Sequence, residues 1–270
     1  MKRKKRKRRE DAQLKGIYIL PNLVTSLGLF AGFYSLIATY GGQFKKAAIA
    51  IIVAVVMDGL DGTIARATRT TSRFGIEYDS LADLVSFGVA PGFLIYAWAL
   101  SPYGRIGWLA SFLYVVCGAL RLARFNIQVD TLERKTFNGL PIPGAATLVA
   151  SMILLFNYLG GMGTYRHIAV VIAIYILAFL MVSNIKYSSL KDLEIFRKKP
   201  FNTLVAFVLL LILLLSEPEV LIFSSALIYI VSGPALYAFQ FVRGKRVTSV
   251  DKMGQLDKEK EISRDGDDTH

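Results

Sequence analysis

Four aspartates, Asp58, Asp61, Asp79 and Asp83, stand in the stretch DGLDGTIARATRTTSRFGIEYDSLAD between two strongly apolar segments. Residues 45–57 (KKAAIAIIVAVVM) lead in and residues 84–100 (LVSFGVAPGFLIYAWAL) lead out. In a helix turning about 100° per residue, the step from Asp58 to Asp61 leaves the carboxylates roughly 60° apart. The step from Asp79 to Asp83 leaves them roughly 40° apart by the same arithmetic. Each pair faces one way from one helix end, and two such helices side by side converge four acids. Carboxylates crowded at a membrane border repel each other and resist desolvation unless cations neutralise them. One or two hard divalent ions held by oxygen, Mg²⁺ or Mn²⁺, give the simplest relief.

Other side chains fit such a site. Gly62 and Ala65 follow the first acid pair and let a ligand or a neighbouring backbone come close. Arg66 can grip a phosphate through two parallel donors. Asn22 and Thr25, three apart on the first helix, read either as a cap and an intrahelical hydroxyl bond or as groups aimed at a ligand. Arg121 and Arg124, also three apart, serve either as interfacial anchors or as recognition of a carboxylate or phosphate. The single cysteine, Cys117, lies in an apolar run and reads as a small buried hydrophobe. The two histidines, His167 and His270, are far in sequence from the acids, which argues against a histidine-based triad.

The elements that position these residues are membrane helices. The chain has 270 residues, 54% of them hydrophobic, and apolar runs recur near the length a spanning helix needs. The expected fold is all-α, a polytopic integral membrane protein of about eight transmembrane helices. These are placed at about 17–39, 45–66, a third starting near Asp79, then 107–125, 140–160, 167–185, 201–216 and 220–242. Residues 1–16 read as a basic, mobile cytoplasmic arm, 17–242 as the membrane domain, and 243–270 as a charged tail with a disordered composition. Gly75 is expected to supply a turn before the third helix. The first apolar run carries no small-residue cleavage site, so no cleavable signal is expected.

The formal charge is +12, and its distribution sets an orientation. With the N-terminus inside, only Lys45, Lys46, Arg105 and Arg166 of the 32 lysines and arginines fall outside. The acids, Arg121, Arg124 and both termini then lie on the cytoplasmic face of the cell membrane. The opening MKRKKRKRRE reads as an anchor to anionic membrane lipid rather than a nucleic-acid patch. Acids among apolar helices also build ion-coupled carriers. Those place them nearer the midplane, commonly in repeated halves, and no second copy of the stretch is present.

The spacing Asp-x2-Asp-Gly-x2-Ala-Arg-x8-Gly-x3-Asp-x3-Asp, filled by Asp58, Asp61, Gly62, Ala65, Arg66, Gly75, Asp79 and Asp83, resembles the signature of the CDP-alcohol phosphatidyltransferases. The resemblance implies a helical membrane enzyme that moves a phosphatidyl group from a CDP-linked lipid onto an alcohol. It implies two divalent ions among the four aspartates and Asp83 as base. It implies contacts to the CDP moiety from Asn22, Thr25, Asp58, Gly62, Ala65 and Arg66, and a homodimer. The stretches PNLVTSLGLFAGF, DSLADLVSFGVAPG, RLARFN, FNGLPIPGAA and MVSNIKYSSLK are similar to the serine-using branch, bacterial and archaeal. That likeness runs from about 17 to 242 and implies CDP-diacylglycerol and L-serine as substrates. The candidates for the acceptor or for lipid phosphate are then Arg121 and Arg124, with Tyr187, Ser188 and Ser189 behind them. Site chemistry alone leaves choline, inositol phosphate and glycerol 3-phosphate open as acceptors, and an ether lipid in place of diacylglycerol.

Overall fold

The computed structural model describes residues 2–68, 72–129, 137–187 and 216–239. Eight α-helices carry the chain among these residues. They are α1 (Lys2–Tyr40), α2 (Phe44–Thr68), α3 (Arg73–Asp83), α4 (Ala90–Ile95), α5 (Gly104–Val129), α6 (Ile142–Tyr158), α7 (Ile168–Val182) and α8 (Pro218–Phe239). Two π-helical segments, Leu84–Val89 and Tyr96–Leu100, join α3 and α4 into one rod that ends at Ser101–Tyr103. Gly104, at φ +53°, turns the chain into α5.

Four stretches are long and apolar enough to cross a membrane: Leu20–Tyr40, Phe44–Thr68, Arg73–Ile127 and Pro218–Phe239. The third, 55 residues long, contains two helical passes separated by the turn at Gly104. The shorter α6 and α7, of 17 and 15 residues, complete the apolar set. At ~1.5 Å per residue each falls short of a ~30 Å hydrocarbon core by itself. The structure is therefore all-helical with four candidate spans among the described residues, not a demonstrated eight. The helix expected over 201–216 lies outside the described residues apart from its last position, as do the charged tail and the end of the last helix.

Boundaries differ from the sequence reading in instructive places. The first helix does not begin at residue 17 but runs back through the basic stretch to Lys2. Helix α3 starts at Arg73, six residues before Asp79, because Ser72 caps it and accepts from the Gly75 N–H at 2.9 Å. Gly75 is therefore inside the first turn of a helix, not a hinge before one. A Cβ there would stand 3.4 Å from Asn22 Oδ1 and 3.1 Å from Ser72 Oγ, so the glycine lets α1 close on α3.

Small residues set the packing. Ala47, Ala48, Ala50 and Ala54 of α2 are buried against α1 and α6, whose own Ala31, Ala38, Ala145, Ala146 and Ala150 are buried in turn. Between apolar helices in lipid, close backbone approach and dispersion take the place of hydrophobic burial. Phe87, Trp98 and Tyr114 fill the centre, and large side chains such as Phe30, Phe33, Ile37 and Phe179 cover the outside. A two-residue antiparallel pairing, Phe137–Asn138 (β1) with Lys186–Tyr187 (β2), ties the segment before α6 to the segment after α7.

Candidate metal and substrate site

The first acid pair projects from the last part of α2, where the helix leaves its alanine-rich packing. Asp61 is buried and Asp58 is half-buried. Asp79 comes from α3, and one carboxylate oxygen from each of Asp58, Asp61 and Asp79 lies within 4.8 Å of the others. Asp83 stands one turn further along α3 and lines the same small cavity, together with Thr25 and Ser86. Its carboxylate is outside that tight group of three but close enough to feel the charges of all three. The convergence expected from the spacing is present: two helices contribute two acids each to one cavity.

Helix α1 holds the acids in place. The Thr25 hydroxyl, buried, donates to Asp61 Oδ2 at 2.8 Å, with the Pro21 carbonyl as an intrahelical alternative at 3.0 Å. Both sequence readings of Thr25 thus describe the same atom. Ser26 and the Tyr78 hydroxyl share a hydrogen bond of 2.8 Å, joining α1 to the residue before Asp79. On the far side of α3, Ser80 donates to Asn126 Oδ1 at 3.1 Å and Asn126 Nδ2 donates to Glu77 Oε2 at 3.3 Å. Asp79 is thus bracketed from α1 and from α5.

The sequence reading missed this bracket. Its only signal was Asn126 in RLARFN, which becomes useful only because α5 continues to Val129 rather than stopping at 125. Immediately after Asp83 the backbone widens into π-helix, a feature that recurs at functional sites. Ser86 in that segment donates to the Gly28 carbonyl at 3.2 Å, and the Tyr114 hydroxyl donates to the Phe87 carbonyl at 3.1 Å.

The remaining candidates separate into those at the site and those beside it. Gly62 and Ala65 are half-buried on α2, and the Arg66 guanidinium folds back over Gly62 and donates to Thr63 Oγ1 at 3.2 Å. It is exposed and close enough to Asp58 to offset its charge. Asn22 sits where α1 meets the start of α3. Arg121 is within electrostatic reach of Asp83, and its buried Nε has no hydrogen-bond partner among the described residues. Arg124 points elsewhere and donates to Asn184 Oδ1 at 2.8 Å. Tyr187 is buried, and its hydroxyl donates to the Ile230 carbonyl at 3.1 Å. Ser188 and Ser189 lie outside the described residues.

Three carboxylates within 4.8 Å of one another form an all-oxygen donor set of the hardness that Mg²⁺ and Mn²⁺ take. No His or Cys joins this group among the described residues, and the residues present fit a hard divalent cation. Fold and site together define an all-helical, apolar protein with a cluster of three carboxylates that could hold a hard cation at one end of its helices. The sequence profile of the CDP-alcohol phosphatidyltransferase family matches residues 18–179, and the chain belongs to that family. The Helicobacter pylori CDP-diacylglycerol–serine O-phosphatidyltransferase is 42% identical over 181 residues, covering 66% of this chain and 75% of that protein. The archaetidylserine synthase of Methanothermobacter thermautotrophicus is 37% identical over 179 residues, covering 66% and 72%. The CDP-diacylglycerol–serine O-phosphatidyltransferase of Methanocaldococcus jannaschii is 38% identical over 175 residues, covering 64% and 76%.

Proposed function

We propose that this protein transfers the phosphatidyl group of CDP-diacylglycerol to the hydroxyl of L-serine, giving phosphatidylserine and CMP. The observation that carries the reading is the convergence of Asp58, Asp61 and Asp79 beside Asp83 in one cavity. The names of the bacterial and archaeal relatives supply the choice of serine. Asp58, Asp61, Asp79 and Asp83 hold two divalent cations, Mg²⁺ or Mn²⁺, which when bound supply charge stabilisation on the pyrophosphate and on departing CMP.

The chain's own groups do the rest. Arg66, Asn22, Thr25, Gly62 and Ala65 receive the CDP moiety, the small residues admitting it against α2 and Arg66 donating to phosphate. Asp83 accepts the proton of the serine hydroxyl as its oxygen forms a bond to the phosphorus that bears diacylglycerol. The bond from that phosphorus to the CMP oxygen breaks, and its electron pair leaves with CMP. No bond forms between enzyme and phosphorus, so the displacement is direct. Arg121, whose buried Nε–H has no partner among the described residues and which lies within electrostatic reach of Asp83, receives the anionic end of the acceptor.

The same reading sets the protein in the cytoplasmic membrane with site and termini inside, supported by the asymmetry of lysine and arginine. Residues 17–242 form the catalytic domain between basic arm and charged tail, and the enzyme works as a homodimer. The test is CMP release from CDP-diacylglycerol by the detergent-purified protein with Mn²⁺ or Mg²⁺. Serine, choline, inositol, inositol phosphate and glycerol 3-phosphate are offered separately. Release with serine alone is expected. Release only with another alcohol would discard serine but keep the chemistry, and no release with any would discard the transferase reading.

A further inference from the structure

We propose that Tyr229 of α8 reads the carboxylate of the acceptor together with Arg121, and that Tyr187 is the positioning residue that holds Tyr229 there. The inference rests on the serine reading above and assigns the specificity of that same site. Arg121 carries a buried Nε–H with no partner among the described residues, an arrangement that costs stability unless a ligand satisfies it. Asp83 and Tyr229 lie within electrostatic reach of Arg121. One turn along α5, Arg124 donates to Asn184 Oδ1 at 2.8 Å, which brings the start of β2, and with it Tyr187, up to this part of α5. Asp83 is the proposed base, so an anion received by Arg121 sits one small molecule away from the hydroxyl being deprotonated. That matches a short hydroxy acid better than the nucleotide, whose phosphates belong beside Arg66 on the Asp58 side.

Half-buried Tyr229 supplies a second, uncharged donor on the acceptor side. Its place is fixed from three directions. The ring packs against Tyr187 with centroids 5.6 Å apart. It lies over Gly144 of α6, where a Cβ would stand 3.4 Å from Tyr229 Cε1. The Tyr187 hydroxyl donates to the carbonyl of Ile230, the next residue of α8, at 3.1 Å. Gly233, one turn on, is bare where the Tyr187 ring passes. Tyr187 in turn is held in β2 by pairing with Phe137. The strand pair thus connects the segments around α6 and α7 to one position of α8, and that position is within electrostatic reach of Arg121.

The experiment compares serine with serinol, which keeps the hydroxyl and the ammonium but replaces the carboxylate by a hydroxymethyl group. CMP release is measured at varied acceptor and varied CDP-diacylglycerol for the full-length protein and for Tyr229→Phe, Arg121→Lys and Tyr187→Phe. The wild type should prefer serine. Tyr229→Phe should raise KM for serine about tenfold or more, as expected for a lost hydrogen bond to a charged group. KM for serinol and for CDP-diacylglycerol should stay within about twofold, so the preference collapses. Arg121→Lys should behave likewise, because lysine lacks the planar fork.

Tyr187→Phe keeps the ring but loses the bond to Ile230, and should lower the preference in the same sense by a smaller factor. A simple loss of stability would not separate the two acceptors. An active Tyr229→Phe enzyme with an unchanged serine-to-serinol preference would overturn the assignment. So would a rise in KM for CDP-diacylglycerol alone, which would give the anion site to lipid phosphate. If Tyr229→Phe does not fold, an unchanged preference in Tyr187→Phe and Arg121→Lys overturns it instead. A wild type that uses serinol but not serine would overturn the serine reading itself.

Discussion

Asp83 differs from its three neighbours in a way that suits the role of base proposed for it. Asp58, Asp61 and Asp79 have oxygens within 4.8 Å of one another, whereas Asp83 lies a turn away and within electrostatic reach of Arg121. A carboxylate at the edge of a cation site can still take a proton from an incoming hydroxyl. Asp83→Asn keeps the shape and removes the base, so turnover should fall by ~10²–10⁴. Thr25 acts at one remove, holding Asp61 through a single hydroxyl. Thr25→Ser should retain that bond and activity. Thr25→Val should lose a charge-assisted hydrogen bond and shift the Mn²⁺ concentration for half-maximal CMP release upward by about tenfold.

At the scale of elements, the site depends on how closely α1 meets the rod that carries Asp79 and Asp83. Gly32 of α1 faces Ser86 in the π-helical segment, and a Cβ there would lie 2.7 Å from Ser86 Cα and 2.8 Å from Ser86 Cβ. That contact involves backbone-anchored atoms that cannot swing away. Gly32→Ala should therefore destabilise by about 1–3 kcal/mol and lower activity, because it pushes α1 off the rod. Gly59 of α2 has open space around it and gives the contrast. Gly59→Ala should be neutral or stabilising by up to ~1 kcal/mol, since alanine is the better helix former. Thermal unfolding in detergent decides between equal and opposite effects, and equal effects would mean that the close approach of α1 does not matter. The Ser72 cap belongs to the same scale: Ser72→Ala should cost ~1 kcal/mol and loosen the start of α3.

At the scale of the whole molecule, the crowding of the acids predicts a folded state that depends on cations. Carboxylates from two helices brought within 4.8 Å repel each other, and a divalent ion that binds only the folded arrangement stabilises it by mass action. Adding Mn²⁺ to chelator-treated protein should raise Tm by an amount corresponding to ~2.7 kcal/mol at a hundred times Kd. Asp79→Asn should abolish that increment. Activity lost to chelator should return with the metal. An unchanged Tm across the titration would separate the acid cluster from cation binding.

The sequence by itself determined the class of protein and the identity of its acids. Helical spacing faced each acid pair one way, hydropathy made the carriers membrane helices, and the charge distribution proposed an orientation. These properties are periodic or compositional, so local residue order encodes them. Residues that act across helices were not legible in the same way. Thr25 reaches Asp61, Ser26 reaches Tyr78 and Asn126 reaches Glu77 only because α1, α3 and α5 pack at one end of the bundle. Arg121 and Arg124 look alike in RLARFN, yet one is buried within electrostatic reach of Asp83 and the other donates to Asn184, a choice made by the helix's rotation against its neighbours. Tyr229 carried no local signal at all. Its relation to the site exists only where α8 meets Tyr187, within electrostatic reach of Arg121, and packing between distant segments, unlike helical period, leaves no mark in neighbouring residues.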